Sequence, residues 1–387
     1  MNILITVSAT PHASLTHRAL NFGAQLAKRG HNVTMLAPRY DKYSKFEADM
    51  AANLQGVRMR YPWHPKTRLP LVGLAVYMLT SSIMVLTSPA DLGYVFKPTP
   101  ISLTGFWLKL RHKPMLADFD DLGQEVMELE GQPGFMAKLV GLSERLAAKW
   151  ASGLSVASTL LERELTATHK GKPVSLISNG VNMADFTPTP ASHEPKIVFF
   201  GALGRTNLLA PAIEAIAKIA SAGHSHVQTE ILGDGPAKSE LEALSTKLGA
   251  SNVITFRGWT KPSEVSKYAH SGDIALCIMP DERTTAACSN QKIFQYGALG
   301  LSVIATTVGD LPLYLDNGTA GSLVKPGDAR ELATAITNLL ENPRLRTGLA
   351  STLTDRIQER YTWAVLGEQV SQLVAEVAPA NNEAKHA

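Results

Sequence analysis

Short apolar runs alternate with amphipathic stretches from one end of this chain to the other. That alternation restricts the fold to parallel sheets joined by crossover helices. Residues 3–7 form an apolar run interrupted only by Thr6, as in a strand covered on both faces. A polar loop follows, then a helix pattern with Gly30 as its stop, then a second apolar run. Further strands are expected at residues 92–96, 115–117, 154–157, 174–177 and 273–279, with amphipathic helices over 134–150 and 330–340. A length of 387 residues predicts roughly two to three domains. With 45% hydrophobic and 18% charged residues, the chain has enough apolar material for packed cores and is not disordered.

A net charge of +3 without a dense Lys/Arg run argues against nucleic acid as the default partner. The two cysteines, Cys277 and Cys288, suggest no disulfide framework and no metal site, and fit a reducing compartment. The chain opens directly into a strand, so cytoplasmic residence is expected. Residues 69–90 carry no charge and are long enough to be a membrane-span candidate. Pro70, Gly73, Ser81, Ser82 and Pro89 dilute that run, and a buried helix is the competing reading. Lys66, Arg68, Lys109, Arg111, His112 and Lys113 flank apolar patches, which also fits peripheral attachment to an anionic surface at the inner face of the cell membrane.

The most informative stretch is residues 289–328. A helix pattern from Lys292 stops at Gly300, a β-branched run follows over 302–306, and Val308-Gly309-Asp310 turns the chain at that strand's carboxyl end. Loops at this edge of a parallel sheet bind ligands. The stretch resembles the nucleotide-sugar segment of the retaining glycosyltransferases of group 1, or family four. Lys292, Gln295, Ala298, Gly300, Val303, Ile304, Ala305 and Gly309 are the counterparts of that family's pattern. The paired glutamates of the pattern fall at Ala287 and Gln295, its second turn glycine at Asp310, and its later glutamate at Leu313, so four positions are changed.

Three more motifs extend the resemblance. N-G-V-N-M-A-D-F-T-P, residues 179–188, is similar to the segment that closes the family's first domain. L-G-D-G-P, residues 232–236, matches its glycine turn, with Asp234 read as a helix cap. Residues 361–374 resemble the closing helix that returns to the first domain. The resemblance implies an α/β chain of GT-B fold: two Rossmann-like domains whose parallel sheets face each other across a cleft. The expected divisions are 1–186 for the acceptor side, completed by helix 361–378, and 187–360 for the nucleotide-sugar side.

The implied reaction is transfer of a hexose-type sugar from a nucleotide-sugar to an acceptor hydroxyl with retention, in polysaccharide or glycolipid assembly. It would use no metal and no cofactor, the nucleotide-sugar being a substrate. The acceptor would be a saccharide or a lipid-linked saccharide. A leaving diphosphate needs donors where negative charge develops, and Lys292 and Arg205 are the candidates. Donor-binding candidates are Ala13 and Ser14 in the first loop, Gly201 and Asn207 after residues 197–200, Gly233, and Gly258 with Trp259. Ser289, Asn290, Gln291, Gln295 and Gly309 complete the set. Trp259 reads either as a base-stacking ring or as packing. Asp118, Asp120 and Asp121 cluster at a strand end. Asp120 takes the place of a family histidine, so it reads as a proton acceptor near the acceptor hydroxyl or as a helix cap. Three alternatives stand: a catalytically degenerate nucleotide-sugar-binding protein, since both pattern glutamates are absent, a sugar-nucleotide epimerase of the same fold, supported by Asp120 and His12, and an inner-membrane structural protein, against which the motif order speaks.

Overall fold

The computed structural model describes residues 1–7, 14–38, 56–63, 70–100, 103–190, 194–204 and 209–378. It divides into two compact units, Met1–Ser178 with Trp363–Ala387, and Asn179–Thr362. The division comes before the expected boundary at 186 because Val181 and Phe186 are buried among the core side chains of the second unit.

The first unit holds a seven-stranded, all-parallel sheet in the order β3-β2-β1-β4-β5-β6-β7. The strands are β1 Asn2–Val7, β2 Asn32–Leu36, β3 Val57–Arg60, β4 Leu92–Phe96, β5 Met115–Phe119, β6 Gly153–Val156 and β7 Val174–Leu176. Every residue of β4, β5 and β6 is buried, which accounts for their continuous apolar sequences. The helices are α1 Ser14–Lys28, α2 Pro70–Leu86, α3 Thr104–Leu110, α4 Gly123–Leu129, α5 Gly134–Trp150 and α6 Thr159–Thr168. The final helix, Trp363–Val377, packs against α1 and buries Trp363, Leu366, Val370, Leu373 and Val374. Trp363 meets Phe22 edge-on at 5.9 Å, and each such burial contributes roughly 1.5–3 kcal/mol.

Residues 70–86 form α2, and no helix among the described residues is long and apolar enough to cross a membrane. The span reading of residues 69–90 is thereby overturned. The competing reading, a buried helix, is only half right, because α2 buries one face and exposes the other.

The second unit holds a six-stranded parallel sheet in the order β10-β9-β8-β11-β12-β13. Its strands are β8 Ile197–Phe200, β9 Thr229–Leu232, β10 Ile254–Gly258, β11 Ile274–Cys277, β12 Ser302–Thr306 and β13 Ser322–Val324. The helices are α7 Ala210–Ile219, α8 Lys238–Lys247, α9 Arg283–Ala286, α10 Gln291–Ala298, α11 Leu311–Tyr314, α12 Ala329–Glu341 and α13 Pro343–Arg360. Both sheets reverse their strand order once, between β1 and β4 and between β8 and β11, and such reversals open ligand crevices at strand carboxyl ends.

Candidate functional site

In the second unit the crevice at the reversal is built by α10 and two glycine turns. Asn290 starts α10, its side-chain oxygen accepting the Lys292 N–H at 3.1 Å and its amide meeting Met279 Sδ at 3.0 Å. Tyr296 fixes the helix: its hydroxyl accepts the Phe200 N–H and donates to the Leu276 carbonyl at 3.1 Å, bridging β8 and β11. One turn earlier on the same face, Lys292 then lies over Gly201. A Cβ at Gly201, where φ is 140°, would stand 3.0 Å from Lys292 Cε, so a glycine is what admits the lysine stem. The Lys292 ammonium sits 4.8 Å from the centre of the Phe199 ring, and burial pushes its pKa down to about 8. Cys277 is the neighbouring titratable group, its thiol pushed up to about 11 by burial.

Gly233 packs backbone to backbone on Gly201, since a Cβ there would meet the Gly201 carbonyl at 1.9 Å. The two turns border a cavity of about 290 Å³ lined by Gly201, Gly233, Trp259 and Gln295, with Phe186 and Val265 on its apolar side. Trp259 is 68% exposed at the rim, so the packing reading of this ring fails. Gly258 has a positive φ at the end of β10 and bridges to Gly233. Asp234 does not cap α8: its carboxylate accepts the Gly235 N–H at 2.8 Å, and the capping position is Ala237. The capping geometry fails because the turn ends two residues short of the helix.

Ser289 is a tie within the unit. Its hydroxyl accepts the Asn179 N–H at 2.9 Å and bonds the Tyr314 hydroxyl at 3.0 Å, while the Asn179 amide donates to the Ser289 carbonyl. Gln291 is the first residue of α10. Gly309 turns with φ 52° against the Ala286 backbone, where a Cβ would come within 2.9 Å. Of the changed pattern positions, Ala287 is fully buried, Gln295 faces the cavity and Leu313 is exposed. Ala13, Arg205 and Asn207, with His12, lie outside the described residues, and Ser14 opens α1.

In the first unit the three aspartates have different surroundings. Asp118 is a core residue: Arg18 donates to it from Nε at 3.0 Å and from its terminal nitrogen at 2.9 Å, and both side chains have no exposure. Asp120 follows β5 and is half-buried. Burial, then Asp121, raise its pKa to about 7, with Lys97 opposing. Lys97, held at φ 45° after β4, pairs with Asp121. Glu144 on α5 accepts the Gly123 N–H at 3.1 Å and is raised to about 7 by burial and by Asp121. Asp120 does not cap a helix, because α4 starts after Leu122. Lys97 and Glu144 escaped the sequence reading; the signal for Lys97 was a lone cation ending an apolar strand. Among the described residues no three His, Cys, Asp or Glu side chains are placed to hold a metal ion.

Two family models match the chain, one described as Glycosyltransferase Family 4 over residues 16–185 and one as Glycosyl transferases group 1 over residues 194–342. The chain is 24% identical over 183 residues to an alpha-D-kanosaminyltransferase of Streptomyces kanamyceticus, covering 47% of this chain and 46% of that protein. It is 23% identical to a phosphatidyl-myo-inositol mannosyltransferase of Mycolicibacterium smegmatis over 93% of this chain and 89% of that one. For the former and similar curated relatives the chain spans about half of their length. Among solved structures, a sucrose-phosphate synthase of Thermosynechococcus elongatus superposes with a TM-score of 0.76 at 20% identity, covering 97% of this chain and 98% of that one. HepE of Anabaena, solved with UDP and glucose, superposes at 0.73 and 17%, covering 97% and 100%. These likenesses bear out the GT-B fold class.

Proposed function

Because the chain belongs to the group 1, family 4 glycosyltransferases, we propose that it moves a hexose-type sugar from a nucleotide-sugar to an acceptor hydroxyl with retention at the anomeric carbon. The observation that carries this reading is the Lys292 ammonium laid over Gly201, beside a cavity bordered by two glycine turns. A diphosphate needs close backbone approach and a cation, and a desolvated ammonium gains most from an anion. Gln295 and Trp259 would hold the nucleoside part, the amide by hydrogen bonds and the ring by stacking. The acceptor side rests on Asp120, and the acceptor proposed is a saccharide or lipid-linked saccharide of polysaccharide or glycolipid assembly, at the inner face of the cell membrane.

The test is a thermal-shift screen against nucleoside diphosphates and their sugars, beginning with UDP-glucose, with which HepE was solved. A ligand at about 100 times its Kd stabilises the folded state by about 2.7 kcal/mol. A selective shift followed by NMR of a transferred sugar with unchanged anomeric configuration supports the proposal. Folded protein with no shift for any nucleotide overturns it, and binding without transfer favours the degenerate binding protein.

Asp120 gives a pH signature. Its carboxylate is raised to about 7, so as a proton acceptor it is competent only above that pH. The rate at low substrate is expected to rise through pH about 7 to a plateau, the apparent value belonging to Asp120 within its cluster of charged neighbours. Asp120→Asn should lower kcat by about 10²-fold or more and flatten the rise. An unchanged pH profile in this variant removes Asp120 from the chemistry.

A further inference from the structure

Most of the large apolar side chains that stand exposed in the described chain lie on three neighbouring helices of the first unit. The 17 residues of α2 include no charged side chain. Val72, Leu79, Ile83 and Leu86 follow one another at helical spacing along its exposed side, where a helix facing only water carries polar residues. On α3 the exposed stripe is Phe106 and Leu110, with Leu103 just ahead of the helix. On α5 it is Phe135, Leu139 and Leu142, while Ala137, Val140 and Ala148 fill the opposite, core face.

The three stripes adjoin. The Arg111 guanidinium donates to the Val85 and Ser88 carbonyls, both at 2.7 Å, fastening the end of α2 to the end of α3. Phe106 of α3 meets Trp150 of α5 with ring centres 6.4 Å apart. The exposed charges on these helices have one sign: Lys109 on α3, and Lys138, Arg145 and Lys149 on α5. Lys172, donating to the Ala148 and Lys149 carbonyls, adds another beside them, and its pKa is lowered by burial and then by Lys109. The acid on α5, Glu144, is turned to the Gly123 N–H, and Glu125 and Glu128 belong to α4 beside it.

We propose that the α2-α3-α5 face docks on an anionic phospholipid surface, its apolar stripes entering the headgroup boundary and its lysines and arginines meeting lipid phosphates. Apolar stripes rimmed by cations of one sign are the pattern of a helix face lying in a membrane interface. A second copy of the chain is a poorer occupant, because a two-fold contact would set this positive face against itself. The inference extends the proposed lipid-linked acceptor class, and its surface is independent of the donor chemistry.

The test is co-sedimentation with phosphatidylcholine vesicles with and without phosphatidylglycerol, at low and high salt and with no donor or acceptor present. Binding is expected to need the anionic lipid and to weaken with salt. Lys149→Gln should reduce it about fivefold, the effect of roughly one charge near such a surface. Leu79→Glu and Phe106→Glu should each reduce it by about tenfold or more, with an unchanged circular dichroism spectrum. The wild-type lipid and salt dependence carries the test if a variant misfolds. Folded wild-type protein that ignores anionic vesicles overturns the proposal. So does a dimer in solution that Leu79→Glu dissociates, which would give the face to a second copy. Vesicle binding with no nucleotide shift would overturn the transfer reading alone.

Discussion

Lys292→Met is expected to lower kcat/KM for sugar transfer by about 10²–10³-fold, the loss seen when one donor to a developing oxyanion is removed. The same variant should not be less stable than the parent without ligand. Lysine ordinarily loses its proton near 10.4, and burial beside Phe199 and Gly201 brings Lys292 down to about 8. The charged form is thus disfavoured in the folded state. Between about pH 8 and 10 the unfolded chain binds the extra proton, so stability rises with pH through that window, and at neutral pH the folded protein carries the full penalty. Methionine keeps the stem's volume and removes the penalty. The paired outcome is therefore a melting temperature equal to or above the parent's without ligand, and loss of the thermal shift given by a nucleoside diphosphate. A variant that melts earlier but keeps its nucleotide shift would make Lys292 a packing residue and remove it from the diphosphate.

This lysine shows why parts of the site were legible in the sequence. Helix α10, its stop at Gly300 and the following strand are local patterns, and all three are where periodicity and glycine chemistry put them. The motif spacing carried the rest of the second unit, because the glycines at 201 and 233 and the residues of α10 are ordered by one sheet and its crossovers. What was not legible depends on pairs far apart in the chain. In the D-F-D-D run, nothing local separates Asp118, which enters the core, from Asp120, which follows the strand's end. Likewise α2 reads as an apolar run, and only its packing shows which stripe is covered. Asp234 reads as a cap because Asp favours helix starts, whereas its carboxylate closes on the next residue's N–H before the helix begins.

The Arg18–Asp118 pair is the largest of these hidden features, and Arg18→Met is expected to destabilise the first unit by about 3–5 kcal/mol, the cost of leaving a buried charge without its partner. Arg18 also donates to the Ser178 carbonyl at 2.8 Å and stacks 4.5 Å from the centre of the Phe22 ring, so one side chain ties α1, β5 and the end of the unit together. Asp118 receives a further hydrogen bond from Ser155, which itself accepts from Tyr94 at 2.7 Å. At roughly 2–4 °C per kcal/mol for a unit of this size, the melting temperature should fall by about 10 °C. Arg18→Met with Asp118→Leu should recover much of the loss, since replacing both buried charges by apolar groups is often neutral or better, and the cycle of four proteins reads the coupling directly. Asp120 lies two residues further along the same strand end, so the double variant also asks whether the pair positions it. If the double variant is stable yet still slow, the ion pair aligns Asp120 for the acceptor. If it is stable and fully active, the pair serves folding alone, and Asp120 keeps its place through Lys97, Asp121 and the strand register.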